Sequence, residues 1–172
     1  FIEVVQNGST GDISDEQTSY LGTALKEATN LKSLIDDLLD LSQFKAGKTK
    51  LNYSTIKAKE LVDTLITSLG PLAKGKELEL RSTLSDEKLQ FKGDKAKLRR
   101  ILLNLLSNSI KFTQKGYVEI GVVDTDESIT FSVKDTGIGI KENEKEVIFE
   151  KFRQVDYSST RQYDGIGLGL SI

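Results

Sequence analysis

The chain has 172 residues, of which 37% are hydrophobic and 29% charged, and its formal net charge at pH 7 is −2. It contains no cysteine and no histidine, which excludes disulfide bonds, thiolate or imidazole metal ligands, and catalysis by imidazole. Its length suits one globular domain with an appendage, its charge offers no basic field for nucleic acid or an anionic membrane, and no apolar run is long enough to cross a bilayer.

Residues 1–47 are predicted to form mainly one long helix. The chain opens within an apolar run, 1–5, so we expect it to be a segment of a longer protein. Ser14 and Gln17 form a capping box, in which each side chain can bind the other residue's backbone N–H, and Gly47 suits the left-handed end of a helix. Between these ends, an apolar stripe with helical spacing is formed by Leu21, Ala24, Ala28, Leu31, Ile35 and Leu38.

This apolar stripe needs a covering surface. Packing onto the rest of the chain would cover it, but its length favours a partner helix in a bundle, contributed by a second copy. We therefore expect a homodimer formed through residues 1–47.

From residue 48 onward, short strands alternate with helices. Helical spacing occurs over Ala58–Leu72, disturbed by Gly70 and Pro71, and again from Lys95 to Thr113 after the N-cap Asp94. Strands are predicted at Leu51–Ser54, Glu77–Ser82, Leu89–Lys92, Tyr117–Val123 and Ile129–Lys134, the last two joined by a hairpin turn. This order predicts an α+β fold of two layers rather than a doubly wound parallel sheet.

Gly70–Lys76 spells GxxxxGK, the pattern of a phosphate-binding loop. We reject that interpretation because Glu77 occupies the place of the Mg²⁺-binding Ser or Thr. The segment also follows a helix and precedes a strand, which is the reverse of the loop's setting.

The second predicted helix groups three polar side chains. At 100° per residue, Asn104, Asn108 and Lys111 fall within about 60° of one another. A carboxamide oxygen is a hard ligand suited to Mg²⁺, and an ammonium group offsets phosphate charge, so the trio could hold a Mg²⁺-nucleotide. It would equally suit a solvated helix face. The adjoining face, expected to seat the helix on a core, carries Leu98, Leu102, Leu105 and Ser109.

Asp135–Gly139 (DTGIG) follows a predicted strand. A carboxylate at a strand end, beside glycines that permit close backbone approach, can accept a hydrogen bond from the exocyclic amine of adenine. Guanine presents an acceptor at that position and would be repelled. The same residues also fit an ordinary turn.

Gly165–Leu170 (GIGLGL) suits a mobile loop whose backbone amides meet phosphates. It is not the dinucleotide-binding fingerprint, because Leu170 stands where a third glycine is needed. The preceding stretch supplies hydrophobic anchors and guanidinium groups at Phe149, Phe152, Arg153 and Arg161.

In this order, the segments resemble the sequence boxes of sensor histidine kinases of two-component systems. Asn104–Thr113 resembles the N box, Asp135–Ile140 the G1 box, Phe149–Phe152 the F box and Gly165–Leu170 the G2 box. Leu34–Gly47 resembles the second dimerisation helix and its exit. The resemblance covers nearly the whole chain.

The resemblance implies a Bergerat-type ATP-binding domain, a two-layer α/β sandwich truncated at its C-terminus, at residues 48–172. It is preceded at residues 1–47 by part of a helical dimerisation domain, namely the end of its first helix and its second helix. It implies that Asp135 binds the adenine amine, that Phe112 lines the base and that Asn108 is the principal Mg²⁺ ligand. Residues 153–166 would form a lid, with Arg161 a candidate phosphate contact. The implied nucleotide-binding set is Asn104, Asn108, Lys111, Phe112, Asp135, Gly137, Gly139, Phe152, Arg153, Arg161, Gly165, Gly167, Leu168 and Gly169.

The chain departs from the family's pattern in three places. The phosphoacceptor histidine belongs on the first dimerisation helix, upstream of Phe1, and the helix and strand that close the ATP-binding domain would follow Ile172. In the lid, Asp164 and Ile166 stand where the family often has Gly and Thr, and Gln154 where some relatives carry an arginine.

Three functions fit these residues. The resemblance implies an ATP:protein-histidine phosphotransferase, which passes the γ-phosphate to a histidine outside this chain for relay to an aspartate of a response-regulator receiver domain. An ATP hydrolase of the same superfold would place a glutamate base at position 104, where Asn104 cannot act as one. The third is a catalytically degenerate signalling module, against which Asn108, Lys111 and Asp135 argue. We expect a cytoplasmic location and no direct membrane contact, with or without a membrane anchor elsewhere in a longer protein.

Overall fold

The computed structural model describes residues 1–6, 8–9, 11–47 and 50–150. The chain divides into two compact units, with the boundary between residues 49 and 50.

The first unit contains a short helix α1 (Ile2–Gln6) and a long helix α2 (Asp15–Lys45). The predicted capping box is confirmed, since the Gln17 N–H donates to Ser14 Oγ at 3.2 Å and the Ser14 N–H donates to Gln17 Oε1 at 2.9 Å. The predicted left-handed residue after the helix is also confirmed, with φ +64° at Gly47. Helix α1 lies at the start of residues 1–47, where the resemblance implies the end of the first dimerisation helix.

The second unit follows the predicted order of elements. Its helices are α3 (Ala58–Lys74) and α4 (Lys95–Phe112). Its strands are β1 (Ser54–Lys57), β2 (Glu79–Leu84), β3 (Gln90–Gly93), β4 (Tyr117–Asp124) and β5 (Ile129–Asp135). Two 3₁₀ turns follow, at Glu142–Glu144 and Val147–Phe149.

Three elements differ from their predicted bounds by two residues or more. Strand β2 begins and ends two residues later than predicted. Strand β1 lies after the predicted Leu51–Ser54, because Ile56 is the buried residue that pairs with Phe91, whereas Leu51 is exposed. Helix α3 continues through Pro71 to Lys74, since the buried side chains on its core face extend on both sides of the proline.

The larger sheet has the strand order β2-β4-β5, with β2 parallel and β5 antiparallel to the central β4. Strands β1 and β3 form a separate antiparallel pair. One face of the larger sheet packs on α3 and α4 through Val118, Ile120 and Val122 of β4, all of them buried. The predicted two-layer arrangement of helices on a sheet is confirmed, and it sets α4 against one face of the sheet.

Helix α4 faces the core with Leu102, Leu106 and Ile110, which are fully buried. Leu105, which was predicted to seat the helix, is only half-buried, because it lies at the flank of this face. On a helical projection Asn104 lies opposite Leu106, so these two side chains are on opposite faces of the helix.

Candidate nucleotide-binding site

Helix α4 begins at a carboxylate that holds two chain segments. Asp94 Oδ1 accepts from the Lys97 N–H at 3.0 Å, which satisfies a free amide of the first turn, and Oδ2 accepts from the Asn52 N–H at 2.9 Å. The Asn52 bond first, and then the Lys97 bond, lower the pKa of Asp94 below its ordinary value of 3.8. The carboxylate is therefore charged at neutral pH, at the end of the helix where its dipole favours an anion.

The three polar side chains predicted for a nucleotide, Asn104, Asn108 and Lys111, lie on this helix and are half-buried. Their spacing of four and three residues places them on one face. The Lys111 ammonium lies 5.1 Å from the centre of the Phe112 ring. The face thus combines two amide oxygens, a positive charge and an aromatic ring at the end of α4.

The loop after β5 is attached to the C-terminal end of α4. The Ile138 N–H donates to the Phe112 carbonyl at 3.4 Å, and the Gly137 N–H donates to Asp135 Oδ1 at 2.9 Å. Asp135 itself is exposed at the end of β5. The structure therefore brings the backbone of Phe112 together with the loop that begins at Asp135, although 23 positions separate them in the sequence.

Thr136 fixes the same loop to the start of β4. Its Oγ1 accepts from the Tyr117 N–H at 3.0 Å and donates to the Lys115 carbonyl at 3.1 Å. Its own N–H donates to the Tyr117 carbonyl at 3.2 Å. In the sequence, position 136 was treated only as a spacer between Asp135 and Gly137. A known requirement for a hydroxyl side chain at this position would have been needed to predict that it fixes the loop.

The two glycines of the loop serve different purposes. A Cβ at Gly137 would lie 2.7 Å from the Phe112 carbonyl oxygen and 3.0 Å from both Asp135 Oδ1 and Thr113 Oγ1, so a side chain cannot fit without a shift. Gly139 has open space around it but a φ of +69°, a conformation that other residues rarely adopt. At Gly137 the backbone does approach another group closely, and that group is the end of α4.

The sequence-predicted site residues divide into two groups. Those on α4 and on the loop after β5 are described by the structure, and the loop contacts the helix end. The predicted lid and the remaining predicted contacts lie outside the described residues, namely Phe152, Arg153, Arg161, Gly165, Gly167, Leu168 and Gly169.

The side chains at this face suit a metal ion that takes most of its ligands from phosphate and water rather than from the protein. Among the described residues, no group of three or more acidic, histidine or cysteine side chains could hold a metal ion. A hard cation at this face would rely on the amide oxygen of Asn108 together with phosphate oxygens and waters, which is the usual environment of Mg²⁺ at a nucleotide. The chemistry of Asn108 fits that requirement.

Residues 93–172 match the family described as histidine kinase-, DNA gyrase B-, and HSP90-like ATPase. The match begins directly before the N-cap of α4 and includes every residue of the candidate site. No helix among the described residues is long and apolar enough to pass through a membrane.

Relatives align along nearly the whole chain. Over 167 residues it is 40% identical to the sensor protein GacS of Pseudomonas syringae pv. syringae, and this alignment covers 94% of this chain and 18% of GacS. Over 165 residues it is 38% identical to the circadian input-output histidine kinase CikA of Synechococcus elongatus, and this alignment covers 94% of this chain and 22% of CikA. The chain thus spans about a fifth of the length of these curated relatives.

A solved structure has the same architecture. Full-length ShkA in complex with AMPPNP superposes with a TM-score of 0.78 at 29% identity, over 99% of this chain and 35% of ShkA. Residues 93–172 therefore belong to the histidine kinase-, DNA gyrase B- and HSP90-like ATPases, in a chain whose relatives over nearly its whole length are sensor histidine kinases.

Proposed function

We propose that this chain is the ATP-binding kinase core of a sensor histidine kinase. It binds Mg²⁺-ATP and donates the γ-phosphate to a histidine outside its own sequence, which contains none. In that transfer the bond between the γ-phosphorus and the β,γ-bridging oxygen breaks, a phosphorus–nitrogen bond forms on the imidazole, and ADP leaves. The phosphate then passes to an aspartate of a response-regulator receiver domain.

One observation carries the proposal, namely the attachment of the Asp135 loop to the end of α4 at Phe112. A carboxylate has about four acceptor positions, of which the Gly137 N–H uses one, so Asp135 can accept from the exocyclic amine of adenine. The carbonyl of guanine would be repelled there. Phe112, on the adjoining helix end, offers an aromatic surface to the base.

The phosphates would lie along the polar face of α4. Asn108 and Asn104 offer amide oxygens on the same face, and Lys111 offers a positive charge. When bound, Mg²⁺ would neutralise charge on the phosphates, with Asn108 as its protein ligand.

Asn104 separates phosphotransfer from hydrolysis. A hydrolase needs a base to orient and deprotonate water, and an amide cannot take up that proton. The site therefore favours a protein nucleophile over water. The similarity to sensor histidine kinases supports the same choice.

The long helix supports assembly through residues 1–47. Leu31, Ile35 and Leu38 lie on one face of α2 and are exposed by 58%, 50% and 46%. We propose that a second copy covers this stripe in a helical bundle. Residues 1–47 are then part of a dimerisation domain, and residues 48–172 are the ATP-binding domain.

Calorimetry with ATP and GTP tests the base site. We expect the wild-type chain to bind Mg²⁺-ATP more tightly than Mg²⁺-GTP. Asp135→Asn should weaken ATP binding at least about tenfold and reduce this preference, because a hydrogen bond to a charged acceptor contributes about 1.5–3 kcal/mol. Asp124→Asn, an exposed carboxylate at the end of β4, is the matched control and should bind like the wild type.

A phosphotransfer assay tests the reaction class. With γ-labelled ATP, the chain should label a separately supplied histidine-bearing dimerisation helix and release little inorganic phosphate without it. Rapid phosphate release would instead support the hydrolase. A chain that is folded by circular dichroism but binds no nucleotide would overturn the proposal and leave the degenerate module.

A further inference from the structure

Lys76 is the last residue of the rejected GxxxxGK pattern, and the proposed function leaves it without a role. In the structure its ammonium group lies at the C-terminal end of α4. It donates to the carbonyls of Ile110 at 2.8 Å, Lys111 at 2.6 Å and Thr113 at 3.4 Å.

The turn between α3 and β2 places Lys76 there. The Leu78 N–H donates to the Ala73 carbonyl and the Glu77 N–H to the Lys74 carbonyl, both at 3.0 Å. This pair of bonds is a Schellman motif, and its left-handed residue is Glu77, with φ +57°. Leu78 and Ala73, which the motif brings together, are buried in the core. The backbone beside Lys76 is therefore fixed on both sides.

The carbonyls at the end of α4 are shared among three partners. An α-helix leaves its last carbonyls without partners in the helix, and its dipole makes that end negative. The Ser109 carbonyl accepts from the Thr113 N–H at 3.0 Å and from Thr113 Oγ1 at 2.7 Å. The Phe112 carbonyl accepts from Ile138, as described above. The carbonyls of Ile110 and Lys111 accept from Lys76.

We propose that Lys76 is a positioning residue for the base-recognition end of the nucleotide site, an inference that rests on the proposed function. Its ammonium holds the last turn of α4, the turn that carries Phe112 and receives the Asp135 loop. Its ammonium is bound to carbonyls of the last turn of α4 and to that of Thr113, so we expect it to act on the nucleotide through the helix end.

Removal of the Lys76 charge should disturb the part of the site that binds the base more than the part that binds the phosphates. Two carbonyls of a part-buried helix end would lose a charged donor, so the last turn would loosen, and with it the bond between Phe112 and Ile138. Of the residues assigned to the phosphates, Lys111 shares this last turn. Asn104 and Asn108 lie one to two turns earlier, where the helix is held by Leu102 and Leu106 in the core. Base discrimination should therefore suffer more than phosphate binding.

The test compares Lys76→Met with Lys76→Arg and Lys74→Met in the 172-residue chain. Met keeps most of the aliphatic stem, Arg restores a charged donor, and Lys74→Met removes the same charge from an exposed position two residues away. Calorimetry would give affinities for Mg²⁺-ATP and Mg²⁺-GTP. Hydrogen exchange of the Ile138 amide, measured without nucleotide, would report on the helix end.

For Lys76→Met we expect an ATP affinity about tenfold lower, within the range of couplings between residues that share partners, and a preference for ATP over GTP reduced by a similar factor. The Ile138 amide should exchange faster. Lys76→Arg should recover most of both effects, and Lys74→Met should match the wild type.

The possible failures are distinguishable. Wild-type protein that binds no nucleotide overturns the proposed function. Wild-type protein that binds ATP, with Lys76→Met equal to Lys74→Met, overturns the role of Lys76. A weaker affinity for ATP and GTP alike, with unchanged exchange at Ile138, also overturns it, because a general loss of folded protein or of charge would act on both nucleotides. Should Lys76→Met be unfolded, Lys76→Gln takes its place under the same criteria.

Discussion

The two ends of α4 are stabilised in different ways. At the N-terminal end, Asp94 accepts from the amide of Lys97 three residues later and, through its other oxygen, from the amide of Asn52, 42 positions earlier. At the C-terminal end, Lys76 reaches over from 34 to 37 positions earlier, and Ile138 donates from the loop after β5. The first end is capped within its own first turn and has one bond to a distant segment, whereas the carbonyls of Ile110, Lys111 and Phe112 at the second end accept from distant segments.

This difference matters because the proposed base site lies at the second end. Phe112 closes α4, and Asp135 begins the loop that binds to it. The geometry that would distinguish adenine from guanine is therefore assembled by tertiary contacts. We expect nucleotide recognition to be sensitive to changes at the C-terminal end and tolerant of changes at the N-terminal end.

Gly137→Ala should be the most damaging single change at the C-terminal end. The new methyl would approach the Phe112 carbonyl oxygen to 2.7 Å, and neither that carbonyl nor the loop can move without loss of the Ile138 bond. We expect a loss of about 2–3 kcal/mol in the free energy of unfolding, as for other overpacked sites, and at least about tenfold weaker ATP binding. Urea denaturation and calorimetry measure the two effects.

Gly139→Ala provides the comparison for stability. It adds a methyl two residues later into open space, where only the positive φ is unfavourable, at a cost of about 1 kcal/mol. Equal costs for the two alanines would show that the close approach to α4 is not what requires Gly137.

Asp94→Ala should weaken the N-terminal end with a smaller effect. It removes the helix cap and the bond to Asn52, so the melting temperature should fall by about 5 °C. The ATP affinity of the folded protein should remain within about twofold of the wild type, because the change lies about five turns from Phe112. A loss of affinity as large as that of Gly137→Ala would contradict the distinction between the two ends.

The same cap predicts a pH dependence. The pKa of Asp94 is lowered in the folded state, so its charged form stabilises the protein above its unfolded pKa of about 4, and this contribution is lost as the pH falls through the folded pKa. The difference in melting temperature between wild type and Asp94→Asn should be constant from pH 5 to 8 and should narrow below about pH 4. Calorimetric melts across this range would measure it, and a difference that grew on acidification would contradict the assignment.

The features that could be predicted from the sequence are those that depend on residues close together in the chain. The capping box at Ser14, the cap at Asp94 and the order of helices and strands were correct, because periodicity and caps are local patterns. Asn104, Asn108 and Lys111 were placed on one face of α4 by helical spacing alone. The family was identified from ordered motifs, and the comparisons support it.

Long-range features could not be predicted in the same way. Strand β1 was placed a few residues too early, because its position depends on the pairing of Ile56 with Phe91. The contacts of Lys76 join residues more than 30 positions apart, so no local sequence pattern indicates them. Thr136 was overlooked for the same reason, since its partners lie 19 to 21 positions away.

The turn that places Lys76 gives the smallest and most specific prediction. Glu77 is exposed and holds φ +57°, a conformation that costs a residue with a Cβ about 1 kcal/mol relative to glycine. Glu77→Gly should therefore raise the free energy of unfolding by about 0.5–1 kcal/mol, measured by urea denaturation. ATP affinity should not change, because the Schellman bonds come from backbone amides and Lys76 keeps its place.

Gly75→Ala is the matched control for this turn. A glycine that follows a helix is often its left-handed residue, but the φ of Gly75 is −63° and an added Cβ would meet only ordinary contacts, the nearest at 3.4 Å. Alanine should be neutral or slightly stabilising at position 75. The opposite pattern, with a loss from Gly75→Ala and no gain from Glu77→Gly, would move the left-handed residue two positions earlier. A left-handed residue at position 75 would place Lys76 differently relative to α4. The turn would then no longer explain why Lys76 contacts the helix end.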